Sequence, residues 1–330
     1  MFTDKFSRRS TMRMALCAAC GLSLAISVKA EDFPGSTPIK LVVPFAPGGL
    51  TDSLARLLAH GLASELKGTV VVENIPGATG TLGVARVARA APDGYTLVMG
   101  LTATQSIAPA LYKDLPYRPQ EDFVPLGRAG QSPIGILANP KLAANNVQEM
   151  LALARQQHGR LFYAAWGVGS GGHLTMESIN QLAKVKLEQV PYKGEAPILQ
   201  ALMGGEVLLG VASVGGALPF IKTGKLKALG VVSPQRSFAL PTVPTLVEQG
   251  VPFSSTSWYG LFAPAKTPAS VTHKLTRALD AVLARPDVIQ RMRELGLDTE
   301  PTSLAAFARQ IKADTAVWEE IVAVSGTKLQ

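Results

Sequence analysis

At 330 residues, 47% of them hydrophobic, the chain is long enough for two domains with sizeable cores. Its formal charge of +8 falls to +4 once the first thirty residues are set aside, and the remaining lysines and arginines form no run and no aromatic-interleaved patch, which argues against a nucleic-acid partner. Beyond those thirty residues no apolar stretch is long enough for a spanning helix, and 207–221 is interrupted by glycines and Pro219, so the mature chain is expected to be soluble.

Residues 1–30 read as a secretory signal peptide. Lys5, Arg8, Arg9 and Arg13 make a basic start, 14–27 is an apolar run too short for a bilayer, and Val28 and Ala30 offer a cleavage site before Glu31. Ser7-Arg8-Arg9 also resembles a twin-arginine signal, with Thr11 where phenylalanine is usual, so both export routes stay open. Cys17 and Cys20 both lie in this segment, which leaves the mature chain without a thiol; lipid attachment at Cys20 is disfavoured by Cys17, which stands where such a signal has leucine.

The mature chain then shows two loops of one design. Residues 39–56, IKLVVPFAPGGLTDSLAR, read as a buried strand, a Pro-Gly-Gly turn and a helix, and 70–83, VVVENIPGATGTLG, repeat that order. Each loop brings glycines to a helix start, where the first N–H groups lack intrahelical partners and the dipole is positive, so the pair could hold one anion. The plainer reading is that the glycines only permit tight turns. A Pro-Asp-Gly turn at 92–94 leads to a strand over 95–101, after which Thr102, Thr104 and Ser106 cap a helix or face a ligand.

A strand is predicted over 134–138, a helix over 147–157 and a strand over 161–166, ending at Trp166, which either stacks on a ligand or covers the core. A third glycine-rich loop, GVGSGG at 167–172, opens the helix carrying His173 and Glu177. Strand 186–192, helix 196–203, strand 207–212 and segment 226–232 follow, and Pro241 and Pro244 mark 241–250 as a linker or surface stretch. The tail reads as helical, with apolar stripes at Leu275, Leu279, Val282 and Leu283 and at Leu304, Phe307, Ile311, Trp318 and Val322.

This alternation predicts an α/β fold with mainly parallel sheets and ligands beyond the carboxyl ends of the strands. Two sets of units separated near residue 130 imply two lobes, 31–128 with 254–330 and 129–253, with a ligand cleft between them that closes by hinge motion. Trp258 and Tyr259 fall where the chain re-enters the first lobe, a place for hinge packing.

Other chemistries find weaker support. Gly167, Gly169 and Gly172 form G-x-G-x-x-G with Glu188 twenty-one residues beyond the first glycine, so an exported NAD-dependent oxidoreductase is the runner-up; against it, Glu188 falls within its strand and the unit is not N-terminal. His173 and Glu177 read as half of a metal site or, more simply, as a helical hydrogen-bonded pair. His60, His158 and His273 are scattered without zinc spacing, and there is no G-x-S-x-G elbow, so neither a metal, a cofactor nor catalysis is expected.

Residues 40–56, 72–83 and 91–97, followed in order by 109–112, 171–177, 190–194, 224–229, 239–245 and 257–264, resemble the tripartite tricarboxylate transporter substrate-binding proteins, the Bug family. The resemblance covers essentially the whole mature chain. It implies a periplasmic receptor with a two-lobed periplasmic-binding-protein (Venus-flytrap) fold, exported through a cleaved signal peptide. Such a receptor traps a small organic acid and hands it to the membrane subunits of a secondary transporter. By this likeness one ligand carboxylate is held by backbone N–H groups of Gly48 and Gly49 and of Ala78, Thr79 and Gly80.

Thr102, Thr104, Trp166, Gly169, Ser170, Ala212 and Ser213 complete the expected ligand-binding set. Asp52 and His173 are expected to support the site from nearby, since a carboxylate at Asp52 would repel an anionic ligand. The chain departs from the pattern at Leu208 and Ala212, where family members commonly carry aspartates. That departure predicts a wider, more apolar and less negative distal pocket, suited to a mono- or dicarboxylate with an apolar or aromatic body. A sensor that presents its ligand to a membrane kinase or another receptor fits the same residues and stays open.

Overall fold

The computed structural model describes residues 33–157, 159–255, 257–325 and 327. The expected signal segment with Cys17 and Cys20, the expected cleavage point before Glu31, and His158 lie outside the described residues. The strands are β1 (Ile39–Val43), β2 (Val70–Asn74), β3 (Thr96–Leu101), β4 (Phe123–Gln131), β5 (Ile134–Ala138), β6 (Leu161–Ala165), β7 (Leu187–Pro191), β8 (Leu209–Ser213), β9 (Lys227–Val232) and β10 (Trp258–Pro264). The longer helices are α1 (Leu50–Leu66), α2 (Thr81–Ala88), α3 (Val147–Gln157), α4 (Gly171–Ala183), α5 (Glu195–Gly204), α6 (Val214–Lys222), α7 (Ala269–Leu283), α8 (Pro286–Glu294) and α9 (Leu304–Ser325).

The strands form two five-stranded sheets of matching design, ordered β2-β1-β3-β10-β4 and β7-β6-β8-β5-β9. In each, one strand runs against the other four: β10 is antiparallel to β3 and β4, and β5 to β8 and β9. The parallel members read as near-continuous apolar runs because helices cover both faces, as in β1, where Ile39, Leu41, Val42 and Val43 are all buried. Helix α1 buries Leu50, Leu54, Leu58, Leu62 and Leu66, a spacing of four that keeps one stripe on the sheet.

Two strands escape sequence patterning. Strand β4, FVPLGRAGQ, carries Pro125, Gly127, Arg128 and Gly130 and has no alternation because its register against β10 shifts twice. Strand β10 is buried at all seven residues, so it lacks the polar-out signature. Gly100 and Gly260 face each other across β3 and β10. A Cβ on Gly100 would lie 2.5 Å from the Phe262 ring and one on Gly260 2.5 Å from Phe307, so the bare backbone is what lets α9 press its aromatic onto the sheet. Trp258 and Phe307 meet edge to face there, 5.0 Å between centroids.

The chain crosses between sheets at 132–133 and returns before β10. The Ser132 N–H donates to the Ser257 carbonyl at 3.0 Å, so the two crossings are bonded to each other. Helix α9 also reaches past its own sheet: Trp318 and Val322 pack with Ile107 and Leu111 of the first lobe and with Leu174 on α4. The two lobes thus share one apolar cluster beside the cleft.

Candidate functional site

Loops leaving β1, β2, β3, β6, β7 and β8 at their carboxyl ends converge between the lobes, where such sheets bind ligands. Two adjoining cavities lie there. The smaller, about 60 Å³, is lined by Gly49, Thr102, Ser132, Glu195, Ser213 and Tyr259 among others, and the larger, about 470 Å³, by Ala78, Thr79, Gly80, Tyr112 and Lys193 among others. Phe45 and Trp166 line both.

The second glycine-rich loop forms one wall of the larger cavity. Gly77, Ala78, Thr79 and Gly80 all have positive φ, at 138°, 45°, 54° and 94°. The left-handed region costs an ordinary residue roughly 1–2 kcal/mol, so Ala78 and Thr79 are held there by their surroundings. The Thr79 hydroxyl donates to the Val168 carbonyl across the cleft at 3.1 Å, the Thr81 hydroxyl to the Ala78 carbonyl at 2.9 Å, and Tyr112 to that same carbonyl at 3.4 Å. A turn of consecutive amides entering α2 is an anion-binding concavity.

The first loop is built around Asp52, buried in the first turn of α1. Its carboxylate accepts the Gly48 N–H at 3.1 Å, two bonds from Arg56 at 3.0 Å and the Asn74 amide at 2.9 Å, while Asn74 also donates to the Phe45 carbonyl. Burial pushes this carboxyl up, but Arg56, the Gly48 N–H and Asn74 together outweigh burial and hold it below the usual carboxylate range. The Gly48 N–H is therefore committed within the loop, and Gly49 is the member of the pair that lines the smaller cavity.

The remaining expected residues divide into those that face the cavities and those behind them. Thr102 lines the smaller cavity and its hydroxyl accepts the Trp258 N–H at 3.0 Å. Thr104 is fully buried, bonded to the backbone of Leu101, and packs behind Gly80. The Gly169 N–H donates to His173 Nδ1 at 3.1 Å, and Ser170 caps α4 through the His173 N–H; of their neighbours, Gly171 lines the smaller cavity and Gly167 and Val168 the larger. Burial pushes the His173 imidazole down, partly offset by Glu177, whose carboxylate is 3.9 Å from Nε2. No group of three metal-ligating side chains occurs among the described residues. Glu188 sits near the start of β7, opposite Phe162 and paired with Lys186, at the far end of the strand from the 167–172 loop.

Ala212 is fully buried against Leu137 and Ala164 in the second-lobe core. Next to it, Ser213 caps α6 through the Gly216 N–H and lines the smaller cavity. Glu195, from another element, supplies a carboxylate to the lining of the smaller cavity. Its Oε1 accepts the Ser213 N–H and hydroxyl, each at 2.5 Å, and its Oε2 accepts the Leu50 N–H at 2.9 Å. Glu195 therefore bridges the starts of α1 and α6. Burial pushes its carboxyl up, offset only in part by Ser213 and the Leu50 N–H.

Glu195, Phe45, Tyr112, Lys193, Ser132 and Ser257 are cavity residues that the sequence did not single out as ligand contacts. A signal for Glu195 did exist: VPYKG at 190–194 ends a strand, turns at a glycine with φ of 124° and starts a helix, the design of the other glycine-rich corners.

A family model described as the tripartite tricarboxylate transporter family receptor matches residues 54–326. The fold is similar to that of the periplasmic binding protein BugD, at 36% identity and a TM-score of 0.84 over 89% of this chain and 99% of that one. It is likewise similar to MatC of Rhodopseudomonas palustris with bound malate, at 36% identity and TM-score 0.83 over 88% and 100% of the two chains. A third similar structure is an R. palustris protein with adipate, at 32% identity and TM-score 0.85 over 90% and 100%.

Proposed function

The chain belongs to the tripartite tricarboxylate transporter family of receptors, and from that premise we propose that it is an exported, periplasmic solute-binding protein that captures a small organic acid between its two lobes. It delivers that acid to the membrane subunits of a tripartite tricarboxylate-type secondary transporter. The bound malate and adipate of two similar structures support an acid as the ligand class.

The observation that carries this reading is the corner at Ala78–Gly80. Two non-glycine residues and a glycine are held in the left-handed region at the start of a helix, facing a cavity of about 470 Å³. Strain of this kind concentrates at binding clamps, and helix starts favour negative charge. The ligand carboxylate takes the amides of this corner, with Gly49 contributing from the first loop. Thr79, bonded across the cleft to Val168, couples filling of the corner to closure. Isothermal titration of the mature protein against a panel of organic acids tests the reading: saturable binding of at least one is expected, and failure of every acid to bind would refute it.

A further inference from the structure

We propose that Glu195 selects the ligand: the smaller cavity receives a protonated amino group, and the captured acid is an amino acid whose ammonium and carboxylate stand at opposite ends of an apolar body. The proposal rests on the reading above, which puts the carboxylate end at the Ala78–Gly80 corner.

The argument starts from unmatched charge. Glu195 heads α5 and lines the smaller cavity, where it is the one carboxylate among the described lining residues. Its hydrogen bonds come from two backbone N–H groups and one hydroxyl, and among the described residues no lysine, arginine or histidine pairs with it. Oε1 has both acceptor positions filled by Ser213, whereas Oε2 has one filled by Leu50 and keeps the other. A negative charge drawn out of water without a counter-charge is costly, and a ligand cation placed against Oε2 removes that cost.

The same carboxylate excludes what the first loop alone would attract. The Leu50 N–H at the start of α1 and the Ser213 N–H before α6 are anion donors, and Glu195 holds both. A second carboxylate entering the smaller cavity would find those donors occupied and a like charge beside it. Tyr259, also in the lining, adds no charge, because burial pushes its hydroxyl far up. The adjoining larger cavity has the opposite character, with Lys193 and the helix-start amides of Ala78–Gly80. Phe45 and Trp166, shared by both cavities, form the apolar passage between a basic end and an acidic end, and their rings suit both a methylene body and a cation. The 60 Å³ of the smaller cavity holds the end of a ligand rather than its body.

The test is isothermal titration of 4-aminobutanoate, 5-aminopentanoate and 6-aminohexanoate, each against the dicarboxylate and the monocarboxylate of the same length, on wild type and on Glu195→Gln. Wild type is expected to bind the best amino acid about tenfold or more tighter than its matched dicarboxylate. Glu195→Gln, checked for folding by circular dichroism, narrows that ratio to about threefold or less, with the monocarboxylate as the reference that corrects for any general change in affinity. Should the variant not fold, the wild-type ratio alone decides. A dicarboxylate bound as tightly as the matched amino acid by wild type, or a ratio unmoved by Glu195→Gln, overturns the selection by Glu195 while leaving the organic-acid reading intact. Failure of all three classes to bind overturns the selection by Glu195 and leaves the organic-acid reading to the wider panel of acids.

Discussion

Removing the Asp52 carboxylate should loosen the first loop by an amount the structure lets one work out. Of its partners, Arg56 is half exposed and returns its guanidinium to water at little cost, so that ion pair contributes at most about 1 kcal/mol. The Gly48 N–H and the Asn74 amide are partly buried and lose a charged acceptor, worth about 1–2 kcal/mol each. Asp52→Ala should therefore cost about 2–5 kcal/mol, read as the loss of unfolding free energy in urea at neutral pH. The variant Asp52→Asn adds a check on sign. Because the folded-state carboxyl is held below its ordinary value, the charge contributes stability above about pH 4, and that contribution fades as pH falls through the folded value. The gap between wild type and Asp52→Asn should thus be full at neutral pH and shrink in acid. A gap that stays constant or widens in acid, or an Asp52→Ala cost below about 0.5 kcal/mol, would refute the reasoning.

Three further outcomes are expected. Gly80→Ala places a Cβ at φ of 94° and 2.9 Å from the Thr104 methyl, so it should cost about 1–3 kcal/mol in thermal or urea unfolding and weaken acid binding; wild-type stability and affinity would contradict it. Trp166 lines both cavities, so ligand binding should change tryptophan fluorescence and Trp166→Phe should remove most of that change; a variant that keeps the full signal would place Trp166 away from the ligand. Trp318→Ala empties the cluster that α9 shares with Leu174 and should cost about 3–5 kcal/mol; small-angle scattering of the ligand-free variant should show a more open form, and an unchanged scattering curve would mean that this cluster does not hold the lobes together.

Much of the architecture was legible because periodicity reports burial. β5 and α3 begin and end where the apolar pattern predicts, and the glycine-rich corners at 48–49, 77–80 and 167–172 do open helices. β4 and β10 were illegible for opposite reasons: one is broken by register shifts and the other is uniformly buried. The site was harder to see than the fold. Gly48, Gly169 and Ser170 carry the residue types of a ligand loop, yet their polar groups close hydrogen bonds inside it. Glu195 shows the converse. A glutamate at a helix start is an ordinary capping preference in sequence, and only the approach of α1 and α6 from distant parts of the chain turns it into a wall of the cleft.

A crystal structure of the mature protein with a bound organic acid identified by titration tests the central claim most directly. A ligand carboxylate within hydrogen-bond distance of the backbone amides of Ala78, Thr79 and Gly80, with the lobes closed upon it, is the predicted result. A ligand seated elsewhere in the cleft, with those amides facing solvent, would contradict it.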